Sequence, residues 1–214
     1  MYLYERPVAR PRSVAAPDRW RWSHLCGLDA PKRAGTLVLY AKPLDFTEKK
    51  LTWSFDTPEG PTEYETALHA HLAKKKLVPA TGTTYKVMTS SADIARLASD
   101  TFENLVLIVH SAANGPGIAV VTRGNGDWIK DDVVGRVLAP LAYNKVSVLG
   151  CDAVANKFAP NLAKRLPKGS TVVGHKGGDF IIMRHFDPDK KVAGRLALTR
   201  VSSNLNLKSF KGGQ

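Results

Sequence analysis

Two apolar runs stand out in the hydrophobic pattern of this chain, Leu105-Val-Leu-Ile-Val109 and Val146-Ser-Val-Leu149. Each is short, nearly continuous and rich in branched side chains, as strands buried on both faces are. A buried parallel strand delivers the residues after it to the carboxyl edge of the sheet, where open α/β folds bind ligands. The first run is followed by His110, the second by Gly150 and Cys151. If the two strands are neighbours, they bring an imidazole and a thiol to one rim.

The remaining pattern alternates strand and helix. Thr36-Leu-Val-Leu-Tyr40 reads as the first strand. Residues 43–60 read as a loop broken by Pro43, Pro58 and Gly60, with an edge strand at Leu51–Phe55. Thr62 followed by Glu65 matches a capping box and predicts a helix from Glu63 to Lys76. Thr84–Met88 predicts a strand, and Ser91 an N-cap for a short helix over 92–99. Ile118–Val121 and the turn Gly124-Asn-Gly126 suggest a small hairpin leading to Trp128. A helix then runs from Asp131 or Asp132 to Leu141, ended or bent by Pro140. Beyond Cys151 the pattern predicts a helix over Val154–Leu166 and strands at Thr171–Gly174 and Phe180–Met183. This order predicts a three-layer α/β/α sandwich around a mostly parallel sheet.

Residues 1–34, punctuated by Pro7, Pro11, Pro17 and Pro31 and rich in arginine, read as a basic extension, and 35–214 as the domain. The aromatic residues Tyr2, Tyr4, Trp20 and Trp22 argue that the extension packs on the domain. The first residues lack a signal peptide's apolar middle, and no run approaches the roughly 20 apolar residues of a membrane span. The expectation is a protein without a membrane partner, cytoplasmic or exported by a route that needs no signal peptide.

The net charge of +12 changes the picture only in part. It favours acidic partners. The basic residues are scattered, however, and no helix-turn-helix, zinc-finger or aromatic RNA-binding signature accompanies them, which argues against nucleic-acid recognition. The two cysteines, Cys26 and Cys151, are too few for a disulfide framework. The six histidines do not group with them at zinc spacing, so no metal site is expected. His69 and His71 stand two apart on a helix and cannot chelate together.

A thiol attacks carbonyl carbon as thiolate and needs a base, most often histidine. The tetrahedral intermediate needs donors, usually N–H groups beside the nucleophile. Gly150-Cys151 at a strand end, and small residues after His110, would supply those parts. Singly, each of these residues also has a bland reading: a cysteine at a strand end is often a small core residue. His175, after the next strand, is a rival base, and Cys26 reads as a buried thiol.

The segment from Leu105 to His110, the hairpin and helix after it, and Val146-Ser-Val-Leu-Gly-Cys151-Asp-Ala-Val-Ala-Asn resemble a caspase-like (clan CD) cysteine peptidase, nearest to the bacterial CHAT-type group. The resemblance covers about residues 36–183. It implies a caspase-like fold, a base at the end of one strand (His110) and a nucleophile at the end of the next (Cys151). The interval between them is of the order of the roughly 50 residues found in caspases. It further implies an oxyanion site at the N–H groups of Cys151 and Ser111, with Gly150 and Asp152 lining it. No metal or organic cofactor is implied. The family usually has glycine after the histidine; here it is Ser111. Where caspases carry a glutamine that lines the specificity pocket, this chain has Leu149. Asp152 reads either as a contact for a basic substrate side chain or, more readily, as a cap for the following helix. Implied partners are protein or peptide substrates, an acidic partner, or a cognate inhibitor protein, in an effector toxin or bacterial defence component. Two alternatives stand beside the peptidase: a catalytically inactive binding module of this fold, and a basic domain that binds nucleic acid or an acidic protein.

Overall fold

In a computed structural model, residues 34–43, 46–48, 51–99, 102–111, 116–120, 128–177 and 206–214 are described. The N-terminal extension with Cys26 and the strand expected at Phe180–Met183 lie outside them. So does the Gly124-Asn-Gly126 turn.

The centre of the fold is a mostly parallel six-stranded sheet. Its strands are β1 (Thr36–Ala41), β4 (Thr83–Met88), β5 (Asn104–Ile108), β9 (Lys145–Leu149), β10 (Thr171–His175) and β11 (Leu207–Lys211). They lie in the order β11-β10-β9-β5-β1-β4, with only β11 antiparallel to its neighbour. Burial follows position. β1 is buried along its whole length, and β5, β9 and β10 from their second residue on. β4 and β11 at the two edges alternate with more open positions. That is why the central strands read as nearly continuous apolar runs and the edges do not.

Successive residues of a strand point to opposite faces, and here they feed two separate cores. Leu37, Leu39, Leu105, Leu107, Val146 and Val148 join one cluster, whereas Val38, Tyr40, Val106, Ile108 and Leu149 join the other. Helix α1 (Gly60–Lys74) closes the second cluster with Tyr64, Leu68 and Leu72, spaced i, i+4, i+8. Helices α2 (Ala92–Ala95), α3 (Asp131–Leu138) and α4 (Phe158–Arg165) contribute Ile94, Val134, Leu138, Phe158 and Leu162 to the first. Each fully buried leucine of this kind contributes about 2 kcal/mol of transfer free energy. At Gly174 a Cβ would stand 2.5 Å from the Ala159 Cβ, so glycine lets α4 close onto β10.

Several boundaries differ from the pattern reading. Helix α1 starts at Gly60, with Glu59 as cap and Pro61 in its first turn, so Thr62 lies inside the helix and forms no capping box. Pro61, with its preset φ, starts the helix. Ser91 does stand at the N-cap, and the helical stretch covers 92–99 as α2 and a 3-10 turn over Arg96–Ser99, but its side chain makes no cap bond; the Asp93 carboxylate accepts from the N–H groups of Thr89 and Ser90. The Leu51 stretch is not an edge of the main sheet. It forms β3 (Leu51–Trp53), paired antiparallel with β2 (Phe46–Glu48). The expected hairpin is a three-stranded antiparallel sheet of β6 (His110–Ser111), β7 (Gly117–Ala119) and β8 (Trp128–Lys130). Pro140 does end α3, in a 3-10 turn over Ala139–Leu141.

Candidate active site

β5 and β9 are adjacent and parallel, with Ile108 level with Leu149. The Val109 N–H donates to the Leu149 carbonyl at 3.3 Å, which extends the contact by one residue. His110 and Cys151 are therefore each two residues beyond the last paired position of neighbouring strands, at the carboxyl edge. His110 is where the chain leaves the main sheet and enters the β6–β7–β8 sheet. Cys151 opens a run of turns leading to α4.

Gly150 makes this approach feasible. A Cβ there would stand 2.7 Å from the Val109 carbonyl oxygen and 3.2 Å from Ser111 Oγ. Any side chain at 150 would push apart the two strand ends that carry His110 and Cys151. The Ser111 hydroxyl thus lies against the backbone of Gly150. Its oxygen is buried and has no hydrogen-bond partner among the described residues.

Cys151 is half-buried and is a thiol, not half of a disulfide. The chain after it is tied to the end of β10. The Asp152 N–H donates to the Gly177 carbonyl at 3.0 Å, and the Val154 N–H to the His175 carbonyl at 3.1 Å. His110 is exposed overall, yet enough protein surrounds the imidazole for desolvation to lower its pKa below the ordinary histidine value. It is neutral at neutral pH and able to accept a proton.

Asp152 does not cap the next helix. That helix starts at Phe158, not Val154, and Asn156 Oδ1 accepts the Phe158 N–H at 2.9 Å. Asp152 instead takes a left-handed turn with φ +53°, and its carbonyl accepts from the Asn156 N–H. Asp is one of the few residues that tolerate this conformation. Its N–H is engaged by Gly177, so only its carboxylate is available for a substrate contact.

His175, the rival base, is 2% exposed and ends β10. Gly174 is level with Val148, so His175 is level with Leu149, short of Cys151. Its Nδ1 lies 3.1 Å from the Gly177 carbonyl oxygen, which can only accept, so Nδ1 carries the proton. The imidazole holds the turn that in turn holds Asp152.

Two further features frame the site. Tyr40 at the end of β1 is level with Ile108, and its hydroxyl donates to Glu65 Oε1 at 2.7 Å. Burial first, then Glu65, pushes its pKa far above the ordinary tyrosine range. A cavity of about 430 Å³, lined by Thr36, Lys76, Asn104 and Lys145 among others, lies at the amino-terminal ends of β1, β5 and β9. It is at the opposite rim from His110 and Cys151. Among the described residues no three His, Cys, Asp or Glu gather as a metal site, and no helix is long and apolar enough to cross a membrane.

The pattern reading overlooked Asn156 as the acceptor for the Phe158 N–H and Gly177 as the acceptor for the Asp152 N–H. Asn two residues before an apolar helical run was the available signal for the first. No local signal exists for the second, because it depends on the β9–β10 pairing. No protein-family model matches this chain, and no curated protein matches it in sequence.

Proposed function

We propose that this protein is a cysteine endopeptidase in which Cys151 attacks the scissile carbonyl and His110 takes the thiol proton and returns it to the leaving amine. The observation that carries the reading is the placement of His110 and Cys151 at equivalent positions past adjacent parallel strands. A caspase-like α/β/α sandwich fits this arrangement, with α1 covering one face of the sheet and α2, α3 and α4 the other. So does the resemblance of the two strand-end segments to caspase-like peptidases.

Backbone donors at Cys151 and Ser111 serve the oxyanion, Gly150 keeps the strand ends close, and the Asp152 carboxylate lies beside the nucleophile. The reaction needs no metal or organic cofactor. Substrates are protein or peptide chains. The basic net charge favours acidic ones, or an acidic inhibitor protein.

The test is hydrolysis of an unstructured protein such as casein by the wild type and by Cys151→Ala and His110→Ala. Both variants should lose activity, whereas Cys26→Ala should keep it. Undiminished hydrolysis by Cys151→Ala ends the thiol mechanism.

A further inference from the structure

The small sheet that begins at His110 has two different faces. His110 is level with Ala119, and Ala119 with Trp128. Directly opposed residues of antiparallel strands point to the same side. His110, Ala119 and Trp128 therefore form one row, and Lys130, two residues on from Trp128, shares its face. The alternate row is Ser111, Ile118 and Ile129. Ile118 and Ile129 are buried in the main core, whereas His110, Trp128 and Lys130 are exposed, so the His110–Trp128 face is outward at its two ends, with the small Ala119 buried between them.

That outward face carries an apolar group the fold does not use. Trp128 is 50% exposed, although an indole is among the costliest side chains to leave in water. Gly117 lies bare beneath it, with Trp128 Cε3 3.5 Å from where a Cβ would stand. Lys130 is exposed, and among the described residues no carboxylate pairs with it. The neighbouring small residue, Ala119, is buried. One face thus presents an imidazole, an indole and an ammonium with no carboxylate partner among the described residues, in a protein of net charge +12.

The spacing relates this face to the reaction. Two strand separations of about 4.8 Å put the His110 and Trp128 backbones roughly 10 Å apart. An extended peptide covers that in about three residues.

We infer that the Trp128–Lys130 face is a substrate-recognition surface for an extended acidic segment carrying an aromatic or large aliphatic side chain about three residues from the scissile bond. The indole takes the apolar side chain, and Lys130 a neighbouring carboxylate. The inference rests on the peptidase reading for the position of the bond, but the binding itself is measured without turnover.

The experiment uses full-length protein carrying Cys151→Ala and a fluorescein-labelled peptide, Glu-Glu-Phe-Glu-Ala-Ala-Gly-Ser, followed by anisotropy. Trp128→Ala should weaken binding about tenfold, as loss of an aromatic anchor does. Trp128→Phe should restore most of it. Lys130→Glu should weaken binding and flatten its salt dependence. Equal affinity in the parent and Trp128→Ala, or no binding by the parent, overturns the inference. The same peptide is then offered to protein with Cys151 intact. Binding that depends on Trp128 without Cys151-dependent cleavage supports this surface and sinks the peptidase. Cys151-dependent cleavage that Trp128→Ala leaves unchanged does the reverse.

Discussion

Gly150 and Val109 approach so closely that a Cβ on the glycine would stand 2.7 Å from the Val109 carbonyl oxygen. Backbone cannot retreat cheaply from such a contact, because Val109 is also tied through its N–H to Leu149. The contact is what lets two strand ends, one leading to His110 and the other to Cys151, stay side by side after the sheet pairing stops. Gly150→Ala should therefore destabilise the fold by about 1–3 kcal/mol, the usual cost of overpacking. It should also lower kcat by displacing the thiol. Urea unfolding and casein hydrolysis measure the two effects.

Activity should follow the protonation of His110. Desolvation lowers its pKa, so the acid limb of the kcat/KM profile should have its midpoint below the ordinary histidine value of about 6.5. A midpoint above that value would contradict the assignment of His110 as the base.

Stability should fall on mild acidification. His71, in α1, has its pKa lowered by burial first, then by Lys75 and Lys74, and its Nε2 is buried without a partner. For His71 and His110 alike the unfolded chain binds a proton at a higher pH than the folded one. Stability is thus fully present above the unfolded value of about 6.5 and declines as pH drops through it, until the folded groups titrate. His71→Gln should flatten this decline in urea midpoints measured between pH 5 and pH 8.

Alkylation reports the thiol without any substrate. At near-neutral pH iodoacetamide should label Cys151 in preference to Cys26, and His110→Ala should slow that labelling several-fold by removing the proposed base. Mass spectrometry of the two cysteine peptides measures both rates.

The turn after Cys151 gives Asp152 and Asn156 different roles. Asn156→Ala removes the acceptor for the Phe158 N–H and should cost about 1 kcal/mol. Asp152→Gly should be neutral or slightly stabilising, because glycine adopts a φ of +53° without strain. A large loss of stability in Asp152→Gly would mean that its carboxylate holds the turn after all.

Much of the scaffold was legible before any coordinates, and the reason is local. A strand buried on both faces is apolar at nearly every position, so β1, β5, β9 and β10 announce themselves. Pro140 ends α3 wherever that helix packs. The misplaced boundaries were those where a neighbour took over a role: Pro61 and Glu59 in place of Thr62, Asn156 in place of Asp152. A four-residue pattern says that such a side chain can cap, not that it will stand where the helix begins.

By itself the sequence determined that His110 and Cys151 each follow a buried strand, since period and apolarity act over a few residues. Only the tertiary structure decided that those strands are adjacent and in register, that His175 is turned to a neighbouring carbonyl, and that Trp128 shares a face with His110. Each of these depends on crossovers and pairings between residues distant in the chain, and no local preference encodes which strand end meets which.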